Sequence, residues 1–245
     1  MMSTNIDSFL NLLEGFEVID LTHTLENNMP TFPSHTKYFL NRWVSPGDPA
    51  FLNVMLIGDH TGTHFDTPAH FLHDETNPIR KLCHEIDPMA MTGRAVKLTF
   101  GPFPANNSIV NALDIMAWEA ENIKLREEDI VIFNYQWAEK WAPVSESNAF
   151  MEAWPGLGES AVNYLIDKKV RVVGTDCASI DSADGDGGKF PGHLGLLFSG
   201  ILVIENLMNL KSLPTEFVFI GLPLKIKDAG GSSIRALALV PKLPE

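Results

Sequence analysis

The chain has 245 residues, 45% of them apolar, so it is long enough to form one large domain with a substantial core. Its formal net charge of −13 argues against a nucleic-acid-binding protein, because such a surface repels a phosphate backbone. Only two cysteines occur, Cys83 and Cys177, and neither has the spacing of a thiolate zinc site or a disulfide scaffold.

The chain shows no sign of export or of membrane insertion. Residues 1–16 lack the basic start and the continuous apolar stretch of a signal peptide. No segment reaches the roughly 18 consecutive apolar residues that a membrane span needs. We therefore expect a cytoplasmic protein without membrane or nucleic-acid partners. Because no linker composition interrupts the chain, we expect residues 1–245 to form a single domain.

Nine short segments, rich in apolar or β-branched residues and separated by Pro and Gly turns, predict β-strands. In chain order they are residues 17–22, 38–44, 52–57, 95–100, 130–133, 170–174, 201–204, 217–220 and 236–240.

Two helices are predicted between these strands. Residues 111–122 carry apolar side chains at helical intervals, with Asn111 as the cap. Ala161, Val162 and Leu165 share a second helical face, just before the strand that begins at residue 170. The loop 182–189 has the most flexible composition in the chain, and loops between apolar strands often carry function. Many strands with few helices predict an α/β fold of mixed β-sheets.

The segment that carries chemistry runs His60-Thr-Gly-Thr-His64-Phe-Asp66-Thr-Pro-Ala-His70. Its histidines and aspartate recur at every second or fourth position, so an extended backbone directs them to one side. Imidazole and carboxylate bind zinc, manganese or iron, and an aspartate can bridge two ions through its two oxygens. A single histidine in a chain is usually a core or surface residue, but this clustering predicts a metal site.

A straight strand does not suit this site. At about 3.3 Å per residue, the alpha carbons of His60 and His64 would lie ~13 Å apart, which is about the limit for two imidazoles that share one ion. Gly62 permits backbone angles closed to other residues, and Pro68 interrupts strand pairing. The sequence therefore predicts that the segment bends, and both residues argue against a helix there.

These residues complete a known signature. The segment from His60 to His70 resembles the HxGTHxDxPxH signature of the cyclase family of metal-dependent hydrolases, which includes bacterial kynurenine formamidases and isatin hydrolases. The resemblance implies that family's swivelling β/β/α fold in a single domain, 1–245. It continues over nearly the whole chain, through Asp20-Leu-Thr-His23, Met29-Pro-Thr-Phe-Pro33, Asp129-Ile-Val-Ile, Pro155-Gly-Leu, Val173-Gly-Thr-Asp176, Ser179-Ile-Asp181, Ile201-Leu-Val-Ile-Glu205-Asn-Leu, Leu222-Pro-Leu224 and Arg235-Ala.

The resemblance implies a set of metal ligands. In the similar formamidases, the positions that match His60, His64 and Asp66 bind one metal, and the aspartate also reaches a second. The positions that match His193 and Glu205 complete the second metal. Glu205 also ends the apolar run 200–204, where a carboxylate needs a partner or an exit to solvent. Zinc is our first expectation for the metal and manganese the second, and the ligand set leaves open whether one or two ions bind per chain.

The resemblance gives the position of His70 the role of acid–base residue rather than ligand. A divalent metal lowers the pKa of bound water to about 7, which supplies a nucleophile without a serine or cysteine. His70 would then protonate the departing nitrogen of an amide, since an imidazole exchanges protons near neutrality. The expected reaction is hydrolysis of a small non-peptide amide, with an arylformamide such as N-formylkynurenine first, and a cyclic amide such as isatin, or a lactone, second. The candidates for an apolar wall around an aryl substrate are Phe32, Trp43, Phe65, Phe71 and Trp137.

Two other functions stay open. A lyase or cyclase of the same family would use the same metals to enolise or dehydrate a carbonyl compound, and its product would lack oxygen derived from water. A metal-binding protein without catalysis would keep its metal and show no change in turnover when His70 becomes alanine. The resemblance also implies a homo-oligomer, either a dimer or a tetramer.

The remaining polar candidates receive no catalytic role. Asp176 ends the strand that begins at residue 170, where an aspartate most often caps a helix and otherwise supports a ligand. Cys177 fits a small buried residue better than a nucleophile. The histidines outside the signature that we leave without a role are His23, His35, His73 and His84.

Overall fold

A computed structural model describes residues 4–45, 47–103 and 108–242. Within those ranges the strands are β1 (Phe16–Asp20), β2 (Phe39–Arg42), β3 (Asn53–Leu56), β4 (His64–Asp66), β5 (Thr92–Thr99), β6 (Ile109–Val110), β7 (Ile130–Asn134), β8 (Gly156–Leu157), β9 (Val172–Thr175), β10 (Leu202–Glu205), β11 (Glu216–Pro223) and β12 (Gly231–Pro241). The helices are α1 (Asn5–Glu14), α2 (Ala112–Glu121), α3 (Glu159–Asp167), the four-residue turn α4 (Gly185–Gly188) and α5 (Pro191–Phe198).

All nine predicted strands are present, and their ends differ by a few residues from the predicted ones. The helix predicted at 111–122 is α2, with Asn111 as its N-cap residue. The predicted apolar face Ala161, Val162 and Leu165 is the buried face of α3. The fold class is therefore confirmed as α/β with a strand-rich sheet and few helices.

Among the elements that were not predicted, three are helical segments of note. The helix α1 has a capping box at Thr4 and carries apolar side chains at helical intervals, but none of its residues is buried, and Ile6 and Phe9 are exposed. The helix α5 follows the flexible-looking loop and begins with Pro191, a residue suited to a first turn. The sequence predicts no helix in the signature segment, but a short 3-10 helix, Pro68–His70, follows β4.

One sheet closes into a barrel. Its strand order is β1-β12-β11-β5-β7-β9-β10-β4, and β12 also pairs with β4. The amino end of β12 pairs with β4 through Gly231–Ser233, and its carboxyl end pairs with β1. Seven strands, from β4 round to β12, therefore form a ring, and β1 extends the same edge of β12. The strands β5, β7, β9 and β10 are parallel neighbours.

The alternation of side chains along the parallel strands builds two cores. Ile130 and Ile132 of β7 belong to the cluster that also holds Phe65 of β4 and Phe219 of β11. The intervening residues of β7 belong to the second cluster, which α2, α3 and α5 cover. Successive residues of a strand face opposite sides, so a strand buried on both sides reads as a continuous apolar run.

A two-stranded arm, formed by β2 and β3 with the flanking residues Trp43 and Phe51, lies outside the barrel sheet. Every residue of both strands is exposed. Trp43 and Phe51 are 71% and 73% exposed. An isolated hairpin is marginal in water, so the arm lacks the packing that normally stabilises two strands.

Among the residues described, no helix combines the length and apolar character needed to cross a bilayer.

Candidate metal centre and active site

The signature segment bends as predicted. Gly62 has a φ of 64°, and a Cβ there would lie 2.5 Å from Cδ2 of Leu25. The extended backbone resumes in β4, so the turn brings His60 back towards Asp66. The Nε2 atom of His60 lies 3.1 Å from Oδ1 of Asp66, and that of His64 lies 3.4 Å from the same oxygen.

Two residues far along the chain join this cluster. Glu205 ends β10 and is the register partner of His64 across the antiparallel β4–β10 pair. Its Oε2 atom lies 3.4 Å from Nε2 of His64. His193, in the first turn of α5, has its Nε2 atom 3.5 Å from Oδ2 of Asp66 and 3.4 Å from Oε1 of Glu205. The structure thus brings together all five residues that we expect to bind metal.

The Nδ1 atom of each of the three histidines lies within hydrogen-bond distance of an oxygen atom. Nδ1 of His60 lies 2.9 Å from a carboxylate oxygen of Asp59, and Nδ1 of His193 lies 2.6 Å from one of Asp181. Nδ1 of His64 lies 2.8 Å from the carbonyl oxygen of Gly62. Because all three partners are acceptors, they favour a proton on each Nδ1 atom, which leaves the Nε2 lone pairs for a cation.

Sequence reasoning missed Asp59 and Asp181. Asp181 also accepts the backbone N–H groups of Gly192 and His193, at 2.6 and 3.1 Å, so it ties the start of α5 to the cluster. The signals were present, since Asp59 precedes the first histidine of the signature and Asp181 ends the matching run Ser179-Ile-Asp181.

The buried polar atoms at the centre of the cluster fit a cation. Nε2 of His60, Nε2 of His64 and both carboxylate oxygens of Asp66 are buried and have no hydrogen-bond partner. Their mutual contacts fall within ion-pair distance but lack hydrogen-bond geometry. Unpaired polar groups that converge in a buried site are costly, and nitrogen and carboxylate donors suit a divalent transition metal.

The electrostatics of the cluster agree with that fit. Burial lowers the pKa of His60, but the charge of Asp66 and the contact with Asp59 outweigh it and raise that pKa to about 10. Burial likewise opposes protonation of His193, yet Asp181, Asp66 and Glu205 raise its pKa to about 10. The carboxylates therefore stabilise positive charge in this pocket. A divalent cation would supply the charge that protons on the histidines otherwise provide.

The oxygens of Asp66 and Glu205 divide the cluster into two halves. Oδ1 of Asp66 faces His60 and His64, whereas its Oδ2 faces His193. Oε1 of Glu205 faces His193, and Oε2 faces His64. Asp66 therefore lies between the two ligand groups that the resemblance implies, whereas Glu205, which that resemblance gives to the second group alone, contacts a histidine of each group.

His70 lies against the cluster. Its ring centroid is 3.9 Å from that of His60, at 30°. Burial lowers the pKa of His70 to about 4, so its imidazole is neutral at pH 7. A nitrogen of this ring also comes within 4.8 Å of ligand atoms of His60 and Asp66. By geometry alone, His70 is placed both to exchange protons and to ligate a metal.

A cavity of about 370 Å³ opens above these residues, with His60, His64, His70, His193 and Glu205 in its floor and walls. Of the five candidates for an apolar wall, Phe32 and Phe71 line it, and Phe190 joins them. Phe65 and Trp137 are instead buried core residues, and Trp43 is on the exposed arm. The sequence missed Phe190, which adopts a φ of 49° just before α5.

Two histidines without an assigned role, His35 and His73, also line this cavity. His35 is half-buried, and burial together with the nearby His60 and His64 lowers its pKa. His23 is buried and stacks on Trp141, with ring centroids 3.8 Å apart. The fourth, His84, accepts a hydrogen bond from the backbone N–H of Asp228.

Asp176 has a structural explanation. Its carboxylate accepts the backbone N–H groups of Tyr135 and Trp137 at 2.9 and 2.7 Å, and that of Ala138 at 3.4 Å. Burial raises its pKa to about 6, against the lowering effect of these hydrogen bonds. It therefore fixes the loop that follows β7, which includes the start of a 3-10 turn.

The Cyclase family model matches residues 19–182. The chain belongs to this family. An isatin hydrolase from Roseibium aggregatum is 30% identical over 94% of this chain and 95% of its own length. A kynurenine formamidase from Bacillus cereus is 26% identical over 90% of this chain and 96% of its own length.

Solved structures of this family share the fold. Isatin hydrolase A from Labrenzia aggregata, bound to benzyl benzoate, gives a TM-score of 0.87 at 25% identity and covers 98% of this chain and 100% of its own. An isatin hydrolase bound to the product analogue thioisatinate gives 0.87 at 27% identity and covers 99% and 100%. Like these cyclase-family relatives, the chain is a hydrolase, and its His/Asp/Glu cluster suits a divalent metal.

Proposed function

We propose that this cyclase-family protein hydrolyses the amide bond of a small aryl amide. The observation that carries this proposal is the placement of unpaired, buried ligand atoms in the floor of a cavity that has aromatic walls. Such a cavity takes an aryl group, and its floor offers metal ligands and a neutral imidazole to the reacting bond.

In this proposal, His60, His64 and Asp66 would hold one cation, and Asp66, His193 and Glu205 would hold a second. Zinc is our first choice and manganese our second, because nitrogen and carboxylate donors accept both. Such cations lower the pKa of a water molecule to about 7 and polarise a carbonyl group. The carboxylates of Asp59 and Asp181 keep the proton on Nδ1 of their histidines, so each Nε2 atom stays available.

His70 moves the protons. Its ring has no hydrogen-bond or ion-pair partner among the described residues, and its contact with His60 holds it beside the ligand cluster. A neutral imidazole there takes a proton from the attacking water and delivers it to the nitrogen that leaves. This transfer converts a poor leaving group, an amide anion, into a neutral amine.

We place an arylformamide of the N-formylkynurenine type first among substrates. Isatin is the second candidate, and one observation favours it: the residues described as lining the cavity include no lysine or arginine. A substrate that carries an amino-acid carboxylate would find no such cation there, whereas isatin is uncharged. The relative that is 30% identical is an isatin hydrolase.

The test combines metal analysis with a substrate panel of an arylformamide, isatin and a lactone, in water enriched with ¹⁸O. We expect bound divalent metal, turnover of an amide, ¹⁸O in the product and loss of activity with a chelator. His70→Ala should lower kcat by at least about 100-fold, the usual contribution of general acid–base catalysis. His84→Ala, outside the cavity, is the matched control. Turnover of the lactone alone, or a product without ¹⁸O, would overturn the proposal.

We also propose that a second copy of the chain covers the arm. Its apolar side chains offer on the order of 800 Å² of exposed surface, about what each partner buries in a standard interface. Both faces of the arm are exposed, so packing against another copy supplies the stabilisation that a lone hairpin lacks.

A further inference from the structure

A tight turn places His35 beside the aromatic wall of the cavity. The backbone N–H of His35 donates a hydrogen bond to the carbonyl oxygen of Phe32 at 2.9 Å, which closes the turn Phe32-Pro-Ser-His35. Proline in second position suits such a turn. The ring centroids of Phe32 and His35 are 5.1 Å apart, and both side chains line the cavity.

The imidazole of His35 is a hydrogen-bonding group of this cavity that the proposed reaction does not use, and it lies next to the aromatic ring of Phe32. Its ring contacts are Phe32 and His60, the latter with centroids 5.7 Å apart. Within the described ranges, neither of its ring nitrogens has a hydrogen-bond or ion-pair partner. The ligand-type histidines differ, since His60, His64 and His193 are each held through Nδ1. A neutral imidazole offers one donor and one acceptor, so His35 has a free donor for a bound molecule.

The position of His35 defines which part of a substrate it meets. The scissile amide belongs at the His60 side of the cavity, and the aryl ring belongs against Phe32. His35 lies between the two, so it faces a substituent on the aryl ring next to the amide nitrogen. We propose that His35 determines specificity by donating a hydrogen bond to a ketone oxygen ortho to the amide nitrogen. This inference rests on the proposed function.

Both substrate candidates carry such a ketone. In an N-formylkynurenine-type formamide, the side-chain ketone is ortho to the formamido nitrogen. In isatin, the ring ketone is attached to the aromatic carbon next to the one that bears nitrogen. The same contact with His35 therefore serves an open-chain and a cyclic amide. An aryl amide without the ketone leaves the donor of His35 unpaired in a half-buried site, which weakens its binding.

The experiment compares 2-acetylformanilide with formanilide, two formamides that differ only in the ortho ketone, on the metal-loaded protein. His35→Phe should lower kcat/KM for 2-acetylformanilide by about tenfold, mainly through a higher KM, and change that for formanilide by less than about twofold. His35→Gln keeps a donor and should recover much of the preference. His84→Phe makes the same substitution outside the cavity and should leave the preference unchanged.

The outcomes separate the two proposals. If His35→Phe lowers both substrates equally, or if His35→Gln recovers nothing, the assignment of His35 is wrong while amide hydrolysis stands. If the wild-type protein hydrolyses neither compound nor isatin, the proposed function fails and the assignment fails with it. Should His35→Phe not fold, as judged by circular dichroism, the comparison of His35→Gln with His35→Leu decides.

Discussion

The orientation of the proposed ligands depends on residues that are not ligands themselves. Asp181 accepts three N–H groups, from Nδ1 of His193 and from the backbone of Gly192 and His193. Its single carboxylate therefore sets the tautomer of His193 and the position of α5. A histidine held less firmly presents its Nε2 atom less accurately, so Asp181 contributes to the affinity for metal.

We expect Asp181→Asn to weaken metal binding by about 10- to 100-fold, the usual effect of removing such a partner. Asparagine keeps the shape but offers only one acceptor oxygen to the three donors. A competition titration with a chromophoric chelator measures the affinity. Asp186→Asn, in the neighbouring loop, is the control. Equal affinities for both variants and the wild type would contradict the role of Asp181.

His23 makes stability depend on pH. Burial lowers its folded pKa from 6.5 to about 4, so the unfolded chain binds the proton more readily between those values. The stability that comes from burying the neutral ring is complete above pH 6.5 and is lost as the pH falls towards 4. From this group we expect about 2 kcal/mol less stability at pH 5 than at pH 7.5.

Urea unfolding of the wild type and of His23→Gln at both pH values isolates this contribution, because the other titrating groups cancel in the difference. The stability advantage of the wild type should shrink by about 2 kcal/mol at pH 5. A difference that is the same at pH 5 and pH 7.5 would show that His23 is protonated equally in both states.

At the scale of elements, the strand pairing that closes the barrel also positions the proposed metal ligands. The strand β4 carries His64 and Asp66, and it pairs with β10 on one side and with β12 on the other. Gly231 is the register partner of Asp66, and a Cβ at this glycine would lie 2.5 Å from the carbonyl oxygen of Phe65 and 2.8 Å from Nε2 of His60. The side-chain space at this position is already occupied by backbone and by a proposed ligand.

Gly231→Ala should therefore lower the free energy of unfolding by about 1–3 kcal/mol, the usual cost of overpacking, and also weaken metal binding. The metal effect follows because the alanine methyl group displaces the ring of His60. Denaturant unfolding and metal titration measure the two effects. Gly15→Ala, at the end of α1, is the control. A variant with lower stability but unaltered metal affinity would show that His60 does not respond to this strand pair.

At the scale of the whole molecule, the arm exposes a group of apolar side chains, with Trp43 and Phe51 71% and 73% exposed. We expect Trp43→Glu and Phe51→Glu to convert an assembled protein into single chains, because burying a carboxylate in an apolar interface is costly. Light scattering coupled to size-exclusion chromatography measures the molar mass. Leu113→Glu, at a residue that is 76% exposed on α2, should leave the mass unchanged. A wild type that has the mass of one chain would contradict the proposed assembly.

The sequence by itself predicted six of the seven barrel strands, all but β4, and the bend of the signature segment. Alternating and continuous apolar runs report burial over a few residues, which explains the predicted strands of the barrel sheet, whereas β2 and β3 form although every residue in them is exposed. The bend at Gly62 followed from the reach of two imidazoles. The far residues of the cluster, His193 and Glu205, came from the resemblance, since spacing along the chain says nothing about contacts over more than a hundred residues.

The tertiary structure alone decided which residues surround the signature. The pairing of β4 with both β10 and β12 brings Glu205 and Gly231 to the histidines, and the carboxylate of Asp181 ties the start of α5 beside them. The same packing buries Phe65 and Trp137 in the core, although the sequence predicts them in the cavity wall. It also places His35 at the cavity. Periodicity is a local property, whereas the site is formed by the closure of the barrel and the packing of α5, which join segments that are distant in the chain.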